Sequence, residues 1–307
     1  MTYPPIREIG MLGFGEVGGI FGADFASAGV HVTVYDKLFD VTPAREALLA
    51  RARTARVRPA DSLHEAVRGA ELVIAAVTAS SAPLVASQAA AALRPGQLYL
   101  DVNSVSPETK GKIAATIGKS GADFVEAAVV AQVAPQRLKV PMLLGGARAG
   151  ELAQRLQSMG MDTTAVSDRI GVASAIKMCR SVVMKGLAAL AIEALFAARR
   201  YGAEDAVIAS LDATYPGMGW PKNLPDALTR RAVEHSRRRA AEMREVADTL
   251  KDVGINPLMA SSTAELQDWL TEELEAAHVA WKPNETFSWR AIADAIDARK
   301  NPNRKRA

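Results

Sequence analysis

The sequence feature that most constrains this chain is the hexapeptide GFGEVG at Gly13–Gly18. It follows a short apolar run, Ile9–Leu12, and opens a helix-like segment, Gly18–Ala28. In a strand–turn–helix unit of this type, the first glycine allows a tight turn and the second lets the backbone approach a ligand. The third glycine lets the helix pack closely against the strand. The motif therefore predicts a parallel α/β domain that binds a dinucleotide.

An acid at the end of the next predicted strand, His31–Tyr35, specifies the ligand further. Asp36 lies 18 residues after Gly18, the spacing expected of a carboxylate that binds the ribose hydroxyls. A carboxylate favours NAD over NADP because it repels a 2′-phosphate, but the neighbouring Lys37 offsets part of that repulsion, so NADP stays open. The residues predicted to bind the cofactor are Gly13, Phe14, Gly15, Glu16, Val17, Gly18, Asp36, Lys37, Thr78, Ala79 and Asn103.

Short apolar runs alternate with helix-like segments over the first half of the chain, as in βαβ units. The predicted fold class is an N-terminal Rossmann domain with a doubly wound parallel sheet. Further strands are predicted near Val57 and over Leu72–Val77, Leu98–Val102, Phe124–Val130 and Met142–Leu144. Further helices are predicted over Asp61–Arg68, Ala82–Leu93 and Gly150–Ser158.

The pattern becomes wholly helical in the second half. Val172–Arg200 contains no proline and one glycine, which predicts a single long interdomain helix of about 29 residues. Further helices are predicted over Glu204–Thr214, from Pro225 to about Asp252, and over Pro257–Ala276. The predicted domains are a Rossmann domain at 1–168, an all-α domain at 169–297 and a basic, disordered tail at 298–307.

Composition and charge exclude several classes of protein. The chain is 49% hydrophobic and 23% charged, as in soluble globular proteins, and its one cysteine excludes an internal disulfide. The four histidines form no H-x-x-x-H pair, so no metal site is predicted. No G-x-S-x-G elbow occurs, which argues against a serine hydrolase.

The positive charge is concentrated at the end of the chain. The formal net charge is +3, but the last ten residues carry five basic side chains and no acid, so residues 1–297 carry −2. A solvated tail explains this better than a nucleic-acid partner. No signal peptide and no membrane span are predicted, and the expected location is cytoplasmic.

Four segments together resemble the β-hydroxyacid dehydrogenase superfamily, which includes 3-hydroxyisobutyrate dehydrogenase and phosphogluconate dehydrogenase. Three of them are GFGEVG, DVNSVSP at Asp101–Pro107 and VEAAVVAQ at Val125–Gln132. The fourth is GVASAIKMCRS at Gly171–Ser181. The C-terminal half, with KMCRSVVMKGLAAL and HSRRRAAEM, resembles the branch that has a phosphogluconate-dehydrogenase-like C-terminal domain.

The resemblance implies that Lys177 is the general acid/base that exchanges a proton with the substrate hydroxyl. Burial in an apolar helix would lower the pKa of a lysine toward the range useful for proton transfer. The alternative is a lysine whose stem packs while its ammonium group reaches water.

The substrate pocket departs from the family's usual pattern. Asn103 and Ser104 stand where serine and threonine are usual, and Val130–Gln132 replaces serine–glycine–glycine. On the long helix, Ser181 replaces asparagine one turn after Lys177. Arg180 and Lys185 are candidates for anion binding or for structural ion pairs. A cluster of His235 with Arg238 and Arg239 could contact an anionic substrate or a dimer partner, or form a solvated helix face. The residues predicted to bind substrate are Asn103, Ser104, Gln132, Ser174, Arg180, Ser181 and His235.

The leading functional hypothesis is an NAD(P)-dependent dehydrogenase that acts on the hydroxyl of a small hydroxy acid or sugar acid, an anionic substrate. Imine reduction, or oxidation coupled to decarboxylation or isomerisation, would use the same cofactor geometry and stays open. A non-catalytic NAD(H) sensor is the alternative from another class. The superfamily commonly pairs its helical domains, and this one has excess apolar surface, so a homodimer is expected.

Overall fold

The computed structural model describes residues 3–41, 43–279 and 286–300. The chain divides into two compact units, Met1–Lys177 and Met178–Ala307, and the division falls within one long helix. Each unit is described by itself.

The first unit contains eight strands and seven complete helices among its described residues, followed by the start of the long helix. The strands are β1 Glu8–Leu12, β2 His31–Tyr35, β3 Arg58–Pro59, β4 Leu72–Ala75, β5 Leu98–Asp101, β6 Asp123–Val129, β7 Met142–Gly145 and β8 Thr163–Ser167. The helices are α1 Glu16–Ser27, α2 Ala44–Ala55, α3 Leu63–Arg68, α4 Ala82–Ala90, α5 Pro107–Gly118, α6 Val133–Gln136 and α7 Ala149–Ser158.

The eight strands form one sheet with the order β3-β2-β1-β4-β5-β6-β7-β8. Strands β1 to β6 pair in parallel, β7 is antiparallel to β6, and β8 is parallel to β7. The predicted doubly wound α/β fold is confirmed. The sheet differs from the prediction at β7, which is antiparallel to β6. Strand β8 and helices α2, α5 and α6 were not predicted.

Both faces of the sheet are buried. Along β4, Leu72 and Ile74 belong to one apolar cluster and Val73 and Ala75 to another. Alternate side chains of a strand point to opposite faces, so a continuous apolar run is what a strand covered by helices on both sides requires.

The long helix α8, Val172–Tyr201, ends the first unit and begins the second. Its 30 residues confirm the predicted single helix, and Gly202 follows with φ of +68°, a left-handed conformation that ends the helix readily. The remaining helices are α9 Glu204–Thr214, α10 Leu224–Glu234, α11 Ser236–Asp252, α12 Leu258–Ala276 and α13 Trp289–Lys300.

Two details of the helical unit differ from expectation. The long helix predicted from Pro225 to about Asp252 is broken at His235, whose φ of −136° is not helical. No proline or glycine marks this break in the sequence. Helix α13 was not predicted, and its Trp289 stacks on Phe196 with ring centroids 6.3 Å apart. It also includes residues 298–300 of the predicted tail, while 301–307 lie outside the described residues.

Among the described residues, α8 is the one helix that is long and apolar enough to cross a membrane. Its most apolar window of 18 residues has a mean hydropathy of 1.7. Of this window, 44% is buried inside the protein.

Candidate functional site

The glycine loop lies at the carboxyl end of β1, in the first unit. Gly13 has φ of +94°, and its N–H donates to the carbonyl of Tyr35 on β2 at 2.9 Å. A Cβ at Gly18 would lie 2.0 Å from the Gly13 oxygen, whereas a Cβ at Gly15 would meet no atom within 4 Å. Gly13 and Gly18 are therefore required by the fold. Gly15 leaves open space beside the start of α1, where a pyrophosphate is bound in folds of this type.

Asp36 follows β2 and is hydrogen-bonded directly to the glycine loop. One carboxylate oxygen accepts from Phe14 N at 2.7 Å and the other from Leu38 N at 2.9 Å. The carboxylate thus fixes the loop and begins a short 3₁₀ turn, while Lys37 is exposed. The adjacent Tyr35 hydroxyl donates to Asp40 at 2.7 Å, and this hydrogen bond raises the pKa of Tyr35 to about 12.

Sequence reasoning missed Arg51, which reaches the same loop from α2. Its Nη2 donates to the carbonyl oxygens of Phe14 and Gly15, the latter at 2.8 Å, and its guanidinium lies 4.4 Å from the centroid of the Phe14 ring. A permanent cation at this loop favours binding of a cofactor's phosphate groups. No local motif marks Arg51, because its role depends on how α2 packs.

The carboxyl ends of β4 and β5 are joined through Asn103. Its Oδ1 accepts from Val77 N at 2.7 Å, and its Nδ2 donates to Asp101 Oδ1 at 2.6 Å. Buried Lys110 lies 3.4 Å from the same Asp101 oxygen and donates to the Asp101 carbonyl at 2.8 Å. Much of the Asn103 amide is therefore engaged within the protein, which makes this residue a support for the predicted cofactor site.

The other predicted residues of this edge lie in loops, except Ala79, which begins a short 3₁₀ helix. Thr78 is exposed after β4 and Ala79 is half-buried, while Ser104 is half-buried after β5. Gln132 is exposed immediately before α6. These positions are compatible with ligand contact, and their roles stay predictions.

The start of α8 is held by Glu126, a fully buried acid on β6 that sequence reasoning also missed. Its carboxylate accepts from the backbone N–H groups of Gly171, Ala173 and Ser174 at 2.7, 3.0 and 3.3 Å. It also accepts from the Ser174 hydroxyl at 2.7 Å. A negative charge at this point satisfies free N–H groups and complements the helix dipole. A lone acid within an apolar strand was the available signal.

Lys177 lies one turn further along α8 and is half-buried. It is the last residue of the first unit, so Glu126 fixes the helical turn that precedes it. Ser174 is predicted to bind substrate, and in the structure its hydroxyl and its N–H both donate to Glu126. Arg180 is exposed and Ser181 is buried, and both belong to the second unit.

The second unit contains a group of basic side chains on α8 and α11. Lys185 pairs with Glu242 at 2.6 Å, and Arg238 donates to the other oxygen of Glu242 at 3.1 Å. Burial is the main cause that lowers the pKa of Lys185, and the nearby Glu242 opposes it. His235 ends α10 rather than lying within a helix, and it lines an open cavity of about 470 Å³ with Arg238 and Glu234. The continuous helix expected through His235 is therefore wrong, while the role of His235, Arg238 and Arg239 in anion binding stays a prediction.

Metal ligation has no basis within residues 3–41, 43–279 and 286–300, where no three His, Cys, Asp or Glu side chains are grouped so as to hold an ion.

Comparison with known families identifies both halves of the chain. Residues 8–171 match the NAD binding domain of 6-phosphogluconate dehydrogenase, and residues 198–270 match the domain of unknown function DUF1932. The chain belongs to the β-hydroxyacid dehydrogenase superfamily. The matched NAD-binding domain contains the glycine loop, Asp36 and Glu126, and it indicates a nicotinamide cofactor.

Several individual proteins are similar to this chain over most of their length. The chain is 30% identical over 259 residues to the "Uncharacterized 28.5 kDa protein in 7S RNA 5'region" of Methanothermus fervidus, covering 83% of this chain and 96% of that protein. It is 28% identical over 226 residues to 3-hydroxyisobutyrate dehydrogenase of Pseudomonas aeruginosa, covering 71% and 73% respectively. A conserved hypothetical protein of Sinorhizobium meliloti 1021 has a solved structure with a TM-score of 0.76 and 35% identity. That similarity covers 95% of this chain and 96% of the other.

Proposed function

We propose that this protein is an oxidoreductase that transfers a hydride between NAD and the hydroxyl-bearing carbon of a small anionic hydroxy acid or sugar acid. The observation that carries the proposal is the glycine loop fixed by Asp36, because it supplies a left-handed turn, an open backbone position and a ribose-binding acid in one place. Membership of a superfamily that contains 3-hydroxyisobutyrate dehydrogenase supports the reaction type. One cysteine in 307 residues suits a reducing location such as the cytoplasm.

The residues of the loop fit a dinucleotide. Gly15 and the start of α1 would hold the pyrophosphate, Arg51 would add a positive charge, and Asp36 would accept the ribose hydroxyls. Asp36 favours NAD because a carboxylate repels the 2′-phosphate of NADP. Bound nicotinamide supplies a hydride acceptor, or in reduced form a hydride donor, at its C4 carbon.

Lys177 is the proposed proton carrier. In the oxidation direction the substrate C–H bond breaks with its electron pair to form the hydride, the O–H proton passes to the neutral Lys177 amine, and a carbonyl forms. In the reverse direction the Lys177 ammonium returns the proton to the new alkoxide. Glu126 supports this role by fixing the first turn of α8 through four hydrogen bonds.

A spectrophotometric survey tests the proposal. The full-length protein is incubated with NAD or NADP and a panel of hydroxy acids and sugar acids, and reduced nicotinamide is followed by absorbance. We expect turnover with at least one acid and a kcat/KM at least about tenfold higher with NAD, equivalent to about 1.4 kcal/mol. A second panel pairs the reduced cofactor with ketones and amines, and turnover on that panel alone would contradict hydroxyl oxidation. Cofactor binding without turnover on either panel would favour a sensor.

We also propose a homodimer formed through α8. An apolar stripe on this helix repeats with spacings of four and three residues, and its members are Val183, Leu187, Leu190, Ala194, Ala197 and Tyr201. Val183, Leu190 and Tyr201 are 67%, 54% and 88% exposed. Such a spacing forms one face of a helix that is about 27 Å long, which suits antiparallel or parallel packing on a second copy.

Light scattering on the protein as it elutes from a size-exclusion column measures the mass of the assembly. The wild-type chain should have the mass of a dimer at micromolar concentration, and V183E/L190E should have that of a monomer, because two carboxylates would be buried. L84E is the matched control, since Leu84 is 62% exposed on α4 of the first unit. A monomeric wild type, or a double variant that remains dimeric, would refute the α8 interface.

A further inference from the structure

The guanidinium of Arg239 on α11 is buried without a partner. Its Nε and Nη2 atoms are inaccessible to solvent, and among the described residues neither has a hydrogen-bond partner. Burial is the main cause that lowers the pKa of Arg239. Buried nitrogens of this type are almost always paired in native proteins, because each unpaired group loses its bonds to water.

The charges around Arg239 do not neutralise it. Three cations interact electrostatically with Arg239, namely Arg231, Arg238 and Lys185. Glu242 is the acid that interacts with both Arg239 and Lys185. Each oxygen of Glu242 already accepts a bond, from Lys185 at 2.6 Å and from Arg238 at 3.1 Å. Lys185, Arg238 and Arg239 thus share one carboxylate that is bonded on both sides. Arg231 adds a further positive charge near Arg239, so the group retains excess positive charge.

We propose that Arg239, with Lys185 beside it, binds an oxyanion in the helical unit, either a phosphate or a carboxylate. The two unpaired atoms, Nε and Nη2, lie on one edge of the guanidinium, and this edge donates two parallel bonds to two oxygens of an anion. The side chain as a whole is half-buried, although its Nε and Nη2 atoms are not exposed. The proposal goes beyond hydride transfer, since the site needs neither the nicotinamide nor Lys177.

Calorimetric titration of the full-length protein with inorganic phosphate tests the site. The wild type should bind one equivalent, and R239Q should bind at least about tenfold more weakly, because two charge-assisted bonds are lost. R239K keeps the charge but loses the two-point geometry, so its affinity should fall between the two. R237Q is the matched control, since Arg237 is exposed on the same helix and pairs with Glu275, and it should bind as the wild type does.

Thermal unfolding without phosphate separates binding from a structural role. R239Q should melt at or above the temperature of the wild type, because the substitution removes an unpaired buried cation. A guanidinium that only supports packing would give a lower melting temperature in R239Q with phosphate affinity unchanged. That result, or the absence of phosphate binding in the wild type, would overturn the proposal.

Inhibition kinetics with an identified substrate distinguish the two sources of the anion. Competitive inhibition by phosphate, abolished in R239Q, would show that the site takes an anionic group of the substrate. Non-competitive inhibition or activation, also abolished in R239Q, would show a site for a free anion. Because calorimetry requires no turnover, this site can fail while the proposed dehydrogenase activity holds, and the converse is equally observable.

Discussion

Replacement of Lys177 by methionine is expected to lower kcat on an identified hydroxy acid by about 10²–10⁴-fold, the usual contribution of a positioned general acid or base. Methionine has a similar length and a good helix propensity, so the half-buried side chain can keep its packing on α8. The affinity for NAD should change little, because the glycine loop and Asp36 bind the cofactor in the proposal. Steady-state kinetics and a separate NAD titration measure the two effects.

The pH profile adds a readout that a structural lysine would not affect. In K177M, kcat/KM for oxidation should lose the limb of the profile that reports the proton acceptor. K112M is a matched control, because Lys112 is 72% exposed on α5 and pairs with Glu108 in the same turn of helix. Turnover of K177M within about threefold of the wild type, with an unchanged profile, would contradict the assigned role.

Substitution in the glycine loop should separate binding from folding. G15A is expected to weaken NAD binding by about 10–100-fold, because its methyl group would occupy the open space proposed for the pyrophosphate. Its stability should be nearly that of the wild type, since the φ of −71° at Gly15 suits alanine. G18A should instead destabilise the first unit by about 1–3 kcal/mol, because its Cβ would lie 2.0 Å from the Gly13 oxygen.

Equilibrium NAD titration and urea unfolding on each variant give the comparison. G150A serves as a control for alanine in a helix, since a Cβ at Gly150 in α7 would meet no atom within 4 Å. It should bind NAD normally and unfold at an equal or higher urea concentration. If G15A binds NAD with wild-type affinity, the pyrophosphate does not approach Gly15 and the cofactor site is misplaced.

The order of elements in the first unit could be read along the chain because each signal is local. An apolar run of four to six residues, followed by a glycine turn and a helical segment, specifies its own conformation. Elements with mixed signals were missed. Helix α2 carries three arginines among its twelve residues, and β8 has exposed residues at its centre. In neither case does the sequence pattern by itself show which face is covered.

The break at His235, in the second unit, is another feature that local sequence signals do not predict. The residues from Leu224 to Asp252 all tolerate helix after the proline at its first turn, so propensity predicts one helix. Packing of α10 and α11 as separate helices decided otherwise, and this determines which arginines can share a surface. His235 therefore lies between two helices and not in the middle of one continuous helix.

The sequence by itself determined the nucleotide loop and the acid at the end of β2, since each depends on residues within one βαβ unit. It also placed Lys177 on the long helix, while the catalytic role of Lys177 is what the family resemblance implies. Only the tertiary structure decided what supports them. Arg51 lies 36 residues from Gly15, Glu126 lies 45 residues from Gly171, and Lys185 lies 57 residues from Glu242. Spacing along the chain carries no information about such contacts. They arise when buried charges find partners as helices and sheet pack, and Arg239 shows that one such partner is not supplied by the described residues.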